Sequence, residues 1–430
     1  MFSRALPRAV PRVSHFAKCN GPSNTQAFTR IPLRTWRPVQ LQYSRREQSN
    51  ISRAFKENYK RSPIMFPLAV GSLVVLITFA SIWIPLYYQN AIIKPYHNFP
   101  EPVAQKLRRA FFYSRGKNLD LHEANKYFRQ ALAVAQEVGM DPFGPEILGV
   151  KYAIMGTFEK AGQYPLACDV LEIMRVDCQR WIDEFSDNHW TNGNRSRILK
   201  VIVQLNVKLG ELYDTKYMNQ PDDAEKRLVE AVEIVLREST RREKDGVKEG
   251  EGDFMTAEEI GGTMESLAHH YEQYDSHYLA TPLFLQALAM CPPNSCHGVV
   301  LMNNISTCLA QQTPPTSSPS PTTTPSVDNL TSPLPAARAA LVDQARKWAD
   351  NAIARAVEIK SPDRNEECDV GCAVATHNLG EFLEMEGKIK DAQQKYKEAE
   401  SLSKSIGFRE GLTNAKAGLY RLKTLENGAK

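Results

Sequence analysis

An Ala-x3-aromatic-x2-Ala spacing recurs through the last three quarters of this 430-residue chain and constrains its fold more than any other feature. It is complete at Ala124-Phe128-Ala131, Ala280-Phe284-Ala287 and Ala392-Tyr396-Ala399. Relaxed forms stand at Ala167-Leu171-Met174, Ala224-Leu228-Ala231 and Ala345-Ala349-Ala352. Residues three and four apart share one face of an α-helix. Each occurrence therefore predicts a helix that is small where another crosses it closely and large beside the crossing. A matching pattern precedes three of them: Leu267-Ala268-x2-Tyr271, Leu379-Gly380-x2-Leu383 and Leu209-Gly210-x2-Tyr213. In the first two pairs the small residue precedes the next helix's Ala by twelve, and in the third the turn is two residues longer. Residues 101–430 show almost no period-2 alternation, so strands are not expected. The expectation is an all-α fold of about six paired helices.

Such self-similarity marks a repeat architecture, and the pattern resembles the tetratricopeptide repeat. That resemblance implies a helical-hairpin superhelix. Successive Ala positions lie 43, 57, 56, 65 and 47 residues apart, more than the usual 34. Longer helices or insertions must fill the difference. Residues 238–253 (ESTRREKDGVKEGEGD) read as a charged link between the third and fourth units. Residues 312–335 hold seven Pro and eleven Ser/Thr in 24 positions, which predicts a disordered insertion inside the fifth unit. Glu410–Leu425 reads as a capping helix over the last repeat. The repeats thus occupy 101–311 and 336–430.

Ahead of them, no charged residue occurs between Arg61 and Lys94, and Ile64–Tyr88 is a 25-residue apolar run. At 1.5 Å per residue it is longer than the ~30 Å hydrocarbon layer, and Trp83, Tyr87 and Tyr88 stand where an interfacial aromatic belt would lie. A transmembrane helix over 64–88 is the expectation, followed by a linker over 89–100. Charge divides at the same place. Residues 1–61 carry 13 Lys/Arg against Glu47 and Glu57, a local net of +11, whereas the remainder holds 40 basic and 47 acidic residues. An acidic body excludes a general nucleic-acid binder. Residues 1–46 carry nine Lys/Arg and no acid, with Arg4, Arg8 and Arg12 one turn apart. That composition predicts a mitochondrial presequence over 1–49. Arg53, Lys56, Lys60 and Arg61 form a basic flank within 50–63, and only Lys94 follows the span closely. The positive-inside rule then puts the N-terminus in the matrix and the body in the intermembrane space of the inner membrane.

Motifs for nucleotide, zinc-protease or hydrolase chemistry are absent from the sequence, so no enzyme, cofactor or metal is expected. His269, His270 and His277 match no metal spacing and read as ordinary helix residues. Cys168 and Cys178 resemble half of a twin CX9C pattern, but ~15 Å of helical rise separates them on one helix. Cys368 with Cys372, and Cys291 with Cys296, are near enough in sequence to bridge locally. Buried free thiols acting as small hydrophobes are the favoured reading. The remaining chemistry is recognition. Stacked helix pairs present a concave groove lined by first helices. Asn304 and Asn378 hold equivalent first-helix positions and are candidate peptide-binding amides, each offering donor and acceptor. The sequons at Asn50, Asn194, Asn304 and Asn329 would stay bare in mitochondria.

Presequence, single span and repeat body together resemble the fungal tetratricopeptide adaptor subunit of the mitochondrial inner-membrane i-AAA protease. Segments 105–116 (QKLRRAFFYSRG) and 141–171 (DPFGPEILGVKYAIMGTFEKAGQYPLACDVL) carry that likeness beyond the repeats. The resemblance implies an adaptor that binds unfolded or misassembled polypeptide segments and delivers them to the protease beside a second adaptor subunit. An outer-membrane import receptor, or an assembly scaffold, is the alternative for an anchored repeat protein.

Overall fold

The computed structural model describes residues 47–312 and 336–428, and every regular element among them is helical. The chain divides into two units, 1–86 and 87–430. In the first, α1 (Glu47–Arg61) precedes α2 (Met65–Tyr87). No residue of α2 is buried. Among the described residues one helical stretch, Met65–Tyr96, is long and apolar enough to cross a membrane. Its end is irregular, a π-turn over Tyr88–Ile93 followed by a 3-10 turn over Lys94–Tyr96.

The second unit is a sequence of antiparallel neighbours. The first three pairs are α3 (Glu101–Tyr113) with α4 (Leu121–Glu137), α5 (Pro145–Lys160) with α6 (Tyr164–Phe185), and α7 (Asn194–Tyr213) with α8 (Pro221–Asp245). The next three are α9 (Ala257–Gln273) with α10 (His277–Met290), α11 (His297–Gln311) with α12 (Ala336–Glu358), and α13 (Glu366–Met385) with α14 (Ile389–Ile406). Helix α15 (Arg409–Gly428) packs on α14 and α13. Six hairpins and a terminal helix are what the repeated spacing predicts.

The spacing works through close approach. Ala124, Ala167, Ala224, Ala280, Ala345 and Ala392 are all fully buried. At the small position of the first helix, a Cβ on Gly210 would lie 2.5 Å from Leu228 Cγ, and one on Gly380 would lie 2.9 Å from the Tyr396 ring. Removing that one carbon lets the hairpin close. Phe128, Phe284 and Tyr396, the large residues of the pattern, are then among the largest fully buried side chains. Leu209 and Leu379 join them in the core, with Ala131, Ala287 and Ala399, while Tyr213 and Tyr271 are half-buried at its edge.

Two sequence readings are amended. Residues 238–253 link the third and fourth units as expected, and 243–250 are exposed, but the segment is anchored at both ends. Helix α8 continues to Asp245, and the chain then folds back so that Glu251 is fully buried and Glu238 nearly so. Arg195, Arg241 and Arg242 surround both carboxylates, with Arg195 at 3.0 Å from Glu238 and Arg241 bonded directly to Glu251. The Trp190 ring lies beneath Arg195 (4.1 Å), Arg241 (5.0 Å) and Lys248 (3.5 Å). Gly250 (φ 75°) permits the fold-back, because a Cβ there would sit 2.3 Å from the Thr191 carbonyl oxygen. Charge does not imply exposure when each carboxylate faces several guanidinium groups.

The cysteines are the second correction. Cys296 and Cys368, 72 residues apart, form a disulfide that ties the start of α11 to the first turn of α13. Neither pair of sequence neighbours bridges, because the bridge joins consecutive first helices rather than residues of one loop. Cys168, Cys178 and Cys308 are free and buried, and burial pushes their thiols up to about 11, 11 and 12. Cys291 and Cys372 are free and half-buried, and Cys19 lies outside the described residues. The expected presequence and the 312–335 insertion also fall almost wholly outside them.

Candidate protein-binding groove

First helices α5, α7 and α9 line an open groove of about 730 Å³. Local sequence sets each wall. Pro145 occupies the first turn of α5, where its missing N–H costs nothing. Gly193, in the left-handed region at φ 70°, turns the chain into α7. Thr256 and Glu259 form a capping box that starts α9: Thr256 Oγ1 accepts from the Glu259 N–H at 3.2 Å, and Glu259 accepts from the Thr256 N–H at 3.0 Å.

The walls are cross-linked by charge. Lys208 of α7 donates to Glu159 of α5 at 3.0 Å and lies 3.4 Å from Glu211. Lys200 of α7 donates to Glu259 of α9 at 2.7 Å. Partial burial disfavours the Glu259 carboxylate, but Lys200 and the Thr256 N–H outweigh it and the group titrates below its ordinary range. Burial also lowers Lys208, yet its two carboxylate partners more than restore it and the net shift is upward. Arg197 is held differently, donating to the Phe143 carbonyl at 2.7 Å and to Asn194 Oδ1 at 3.0 Å. Between these polar ties, Leu148, Val201 and Met255 supply apolar surface and Tyr152 stands exposed. The groove is therefore a nearly charge-neutral, mainly apolar trough with polar margins. It can grip an extended segment by apolar contact, and its lysine is already engaged rather than free to clamp a carboxylate.

Beyond α9 the first helices are joined by a second relay. Glu265 of α9 contacts His297 of α11 at 2.8 Å and His269 at 3.4 Å, while His269 also meets Glu272 at 3.1 Å and His297 lies 3.8 Å from Glu367 of α13. The carboxylates hold His269 up at about 9. Burial disfavours the Glu265 carboxylate, but the two imidazoles outweigh it and bring it down to about 2. His270, separately, pairs with Asp214 at 2.7 Å.

Asn304 and Asn378 lie on α11 and α13, outside the groove of α5, α7 and α9. Asn378 is buried and donates to Thr307 Oγ1 at 3.3 Å, so its amide is used between neighbouring first helices. Asn304 is half-buried, and it is the preceding Asn303 that donates to the Gly371 carbonyl at 3.0 Å. Tyr152, Lys208 and Glu259 are groove residues that sequence reasoning missed. A usable signal exists: each stands on a first helix at a position that its neighbours' apolar spacing leaves out of the core.

Paired helices crossing at a glycine or alanine, six times over with a terminal helix, decide the architecture. The fold is a tetratricopeptide-type stack of helix hairpins. No protein-family profile matches the chain. It is similar to a TPR repeat-containing protein of Schizosaccharomyces pombe, 25% identical over 331 residues, which span 76% of this chain and 79% of that one. Similar solved structures include BtubC (BKLC) from P. vanneervenii, with 14% identity, a TM-score of 0.43 and coverage of 67% of this chain and 91% of that one. Another is the Rap conjugation gene regulator of the plasmid pLS20, in complex with the Phr* peptide, with 14% identity, a TM-score of 0.34 and 78% of each chain covered. Tetratricopeptide stacks are typically non-enzymatic scaffolds suited to binding peptides or partner proteins.

Proposed function

We propose that this protein is a membrane-anchored, non-enzymatic adaptor that holds unfolded or misfolded polypeptide segments and presents them to the inner-membrane i-AAA protease, beside a second adaptor subunit. The observation that carries the binding role is the open groove of α5, α7 and α9, apolar along its floor and closed to new ion pairs at its lysine. Unfolded membrane-protein segments are apolar and extended, and an apolar trough with its lysine paired favours them over an acidic C-terminal peptide, although lining Arg197 is held only by neutral acceptors. That also weighs against the import-receptor reading, which needs a cluster of free cations. The apolar α2 supports the anchor, and the basic residues ahead of it support an N-terminus in the matrix. The Cys296–Cys368 disulfide supports a body that works in a thiol-oxidising compartment such as the intermembrane space. Tethering would raise the effective concentration of the groove for a membrane-bound protease, so weak contacts suffice.

Affinity purification of the full chain from detergent-solubilised mitochondria tests the assignment. Recovery of an AAA protease subunit and a second membrane adaptor is expected. Recovery of the intact chain with neither would overturn the partnership. Degradation of the body by protease added to mitochondria with intact outer membranes would overturn the location.

A further inference from the structure

Helix α1 is amphipathic, and among the described residues of the first unit its charged side has no counterpart. Arg53, Lys56 and Lys60, at relative positions i, i+3 and i+7, fall within about 60° of one another around the helix, with Arg61 flanking them. Phe55 and Tyr59, one turn apart, form a stripe centred about 110° around the helix from those cations, with Tyr59 about 60° from Lys56, and both are half-exposed. Counted along α1, four cations stand against Glu47 and Glu57, a net charge of +2 on fifteen residues. The apolar side is continuous with the apolar helix that follows. The Phe55 ring meets the Phe66 ring edge-on at 4.9 Å, and backbone bonds from Ser62 to Asn58 (3.0 Å) and from Phe66 to Ser62 (3.1 Å) carry the chain through the Pro63 turn.

We propose that α1 is a lipid-binding element that lies in the headgroup layer, with Phe55 and Tyr59 at the acyl boundary and Arg53, Lys56, Lys60 and Arg61 against anionic phospholipid headgroups. This rests on the reading of α2 as a membrane span. Two observations select the occupant. The Phe55–Phe66 contact places the apolar stripe of α1 against the first turn of α2, which is the depth at which a spanning helix enters hydrocarbon. The face adjoining that stripe is cationic, which matches the negative surface of a bilayer rich in anionic lipid. An arrangement of this kind fixes the register of α2 in the bilayer and favours membranes or domains that carry anionic lipid. Interfacial helices combine the same two contributions, buried apolar area and attraction to anionic headgroups.

The full chain reconstituted into nanodiscs of phosphatidylcholine alone, or of phosphatidylcholine with phosphatidylglycerol, provides the test, read by amide hydrogen exchange. In the anionic discs, amides of 53–61 are expected to exchange about tenfold more slowly than in the neutral discs, a ratio set by a few basic side chains near the surface. The variant R53Q/K56Q/K60Q should lose that difference, while F55S should raise exchange in both compositions. Equal exchange of 53–61 in the two lipids, with α2 protected in both, would overturn the lipid-binding role and leave the membrane span standing. Rapid exchange throughout α2 in both discs would overturn the span itself, and the inference with it.

Discussion

At the scale of single residues, the hairpin crossings are decided by what is missing from the side chain. Tyr396 is fully buried between Gly380 of α13 and Gly418 of α15, whose added Cβ would come within 2.9 and 2.7 Å of its ring. Its hydroxyl donates to Glu384 at 2.6 Å, so the ring has nowhere to retreat. Gly380→Ala should therefore cost about 1–3 kcal/mol in chemical denaturation. Gly156 of α5, where a new Cβ would meet nothing within 4 Å, is the contrast: Gly156→Ala should stabilise by up to about 1 kcal/mol through helix propensity. Asn206 of α7 offers a different case. It is fully buried, and neither its Oδ1 nor its Nδ2 has a partner. Because its desolvation is uncompensated, Asn206→Leu should leave stability unchanged or raise it by about 1 kcal/mol, read from the same melts. A loss of more than that would mean the amide has a bonding role in the folded chain.

At the scale of elements, the fold-back after α8 converts a charged segment into a wall of the third hairpin. Burial disfavours the Glu238 carboxylate, but Arg241, Arg195 and Arg242 outweigh it and hold the group down at about 2. A carboxylate whose pKa falls on folding contributes stability that is complete above its unfolded value, near 4.5, and is lost as pH falls through 2. The difference in thermal midpoint between the wild type and Glu238→Gln should therefore be largest near neutral pH and shrink steadily below about pH 4. Glu251→Ala leaves three guanidinium groups short of a partner and should cost about 3–5 kcal/mol, as breaking buried ion pairs does. None of this is legible in ESTRREKDGVKEGEGD, whose composition matches a solvated loop. The partners Trp190 and Arg195 stand some 50 residues away, and only the completed hairpin assembles them. The helices themselves were readable because their pattern is local. Even the first hairpin, which lacks a Leu-Gly pair, has Arg109-Ala110-x2-Tyr113 with Ala110 fourteen before Ala124, the same interval as Gly210 to Ala224. The second hairpin hides its first helix by placing Met155 twelve residues before Ala167, where the pattern calls for a small side chain.

At the scale of the whole molecule, long-range links and the groove are the parts that sequence spacing does not reveal. The Cys296–Cys368 bridge closes a loop of 72 residues that contains the Pro-rich insertion. Loop-closure entropy gives such a bridge about 4 kcal/mol of stabilisation. Reduction, or the pair Cys296→Ser and Cys368→Ser, should lower the thermal midpoint of the body, whereas Cys291→Ser should not. Groove residues come one turn at a time from three helices about 50 residues apart, so only their shared exposure on first helices announces them. The adaptor account turns on whether that surface touches substrate. A photo-crosslinking amino acid at position 152 in the full chain, activated in mitochondria under folding stress, measures this directly, with position 420 on exposed α15 as the reference. The account predicts that position 152 captures unfolded membrane-protein segments and position 420 does not. Equal capture at both positions, or capture at 420 alone, would contradict it.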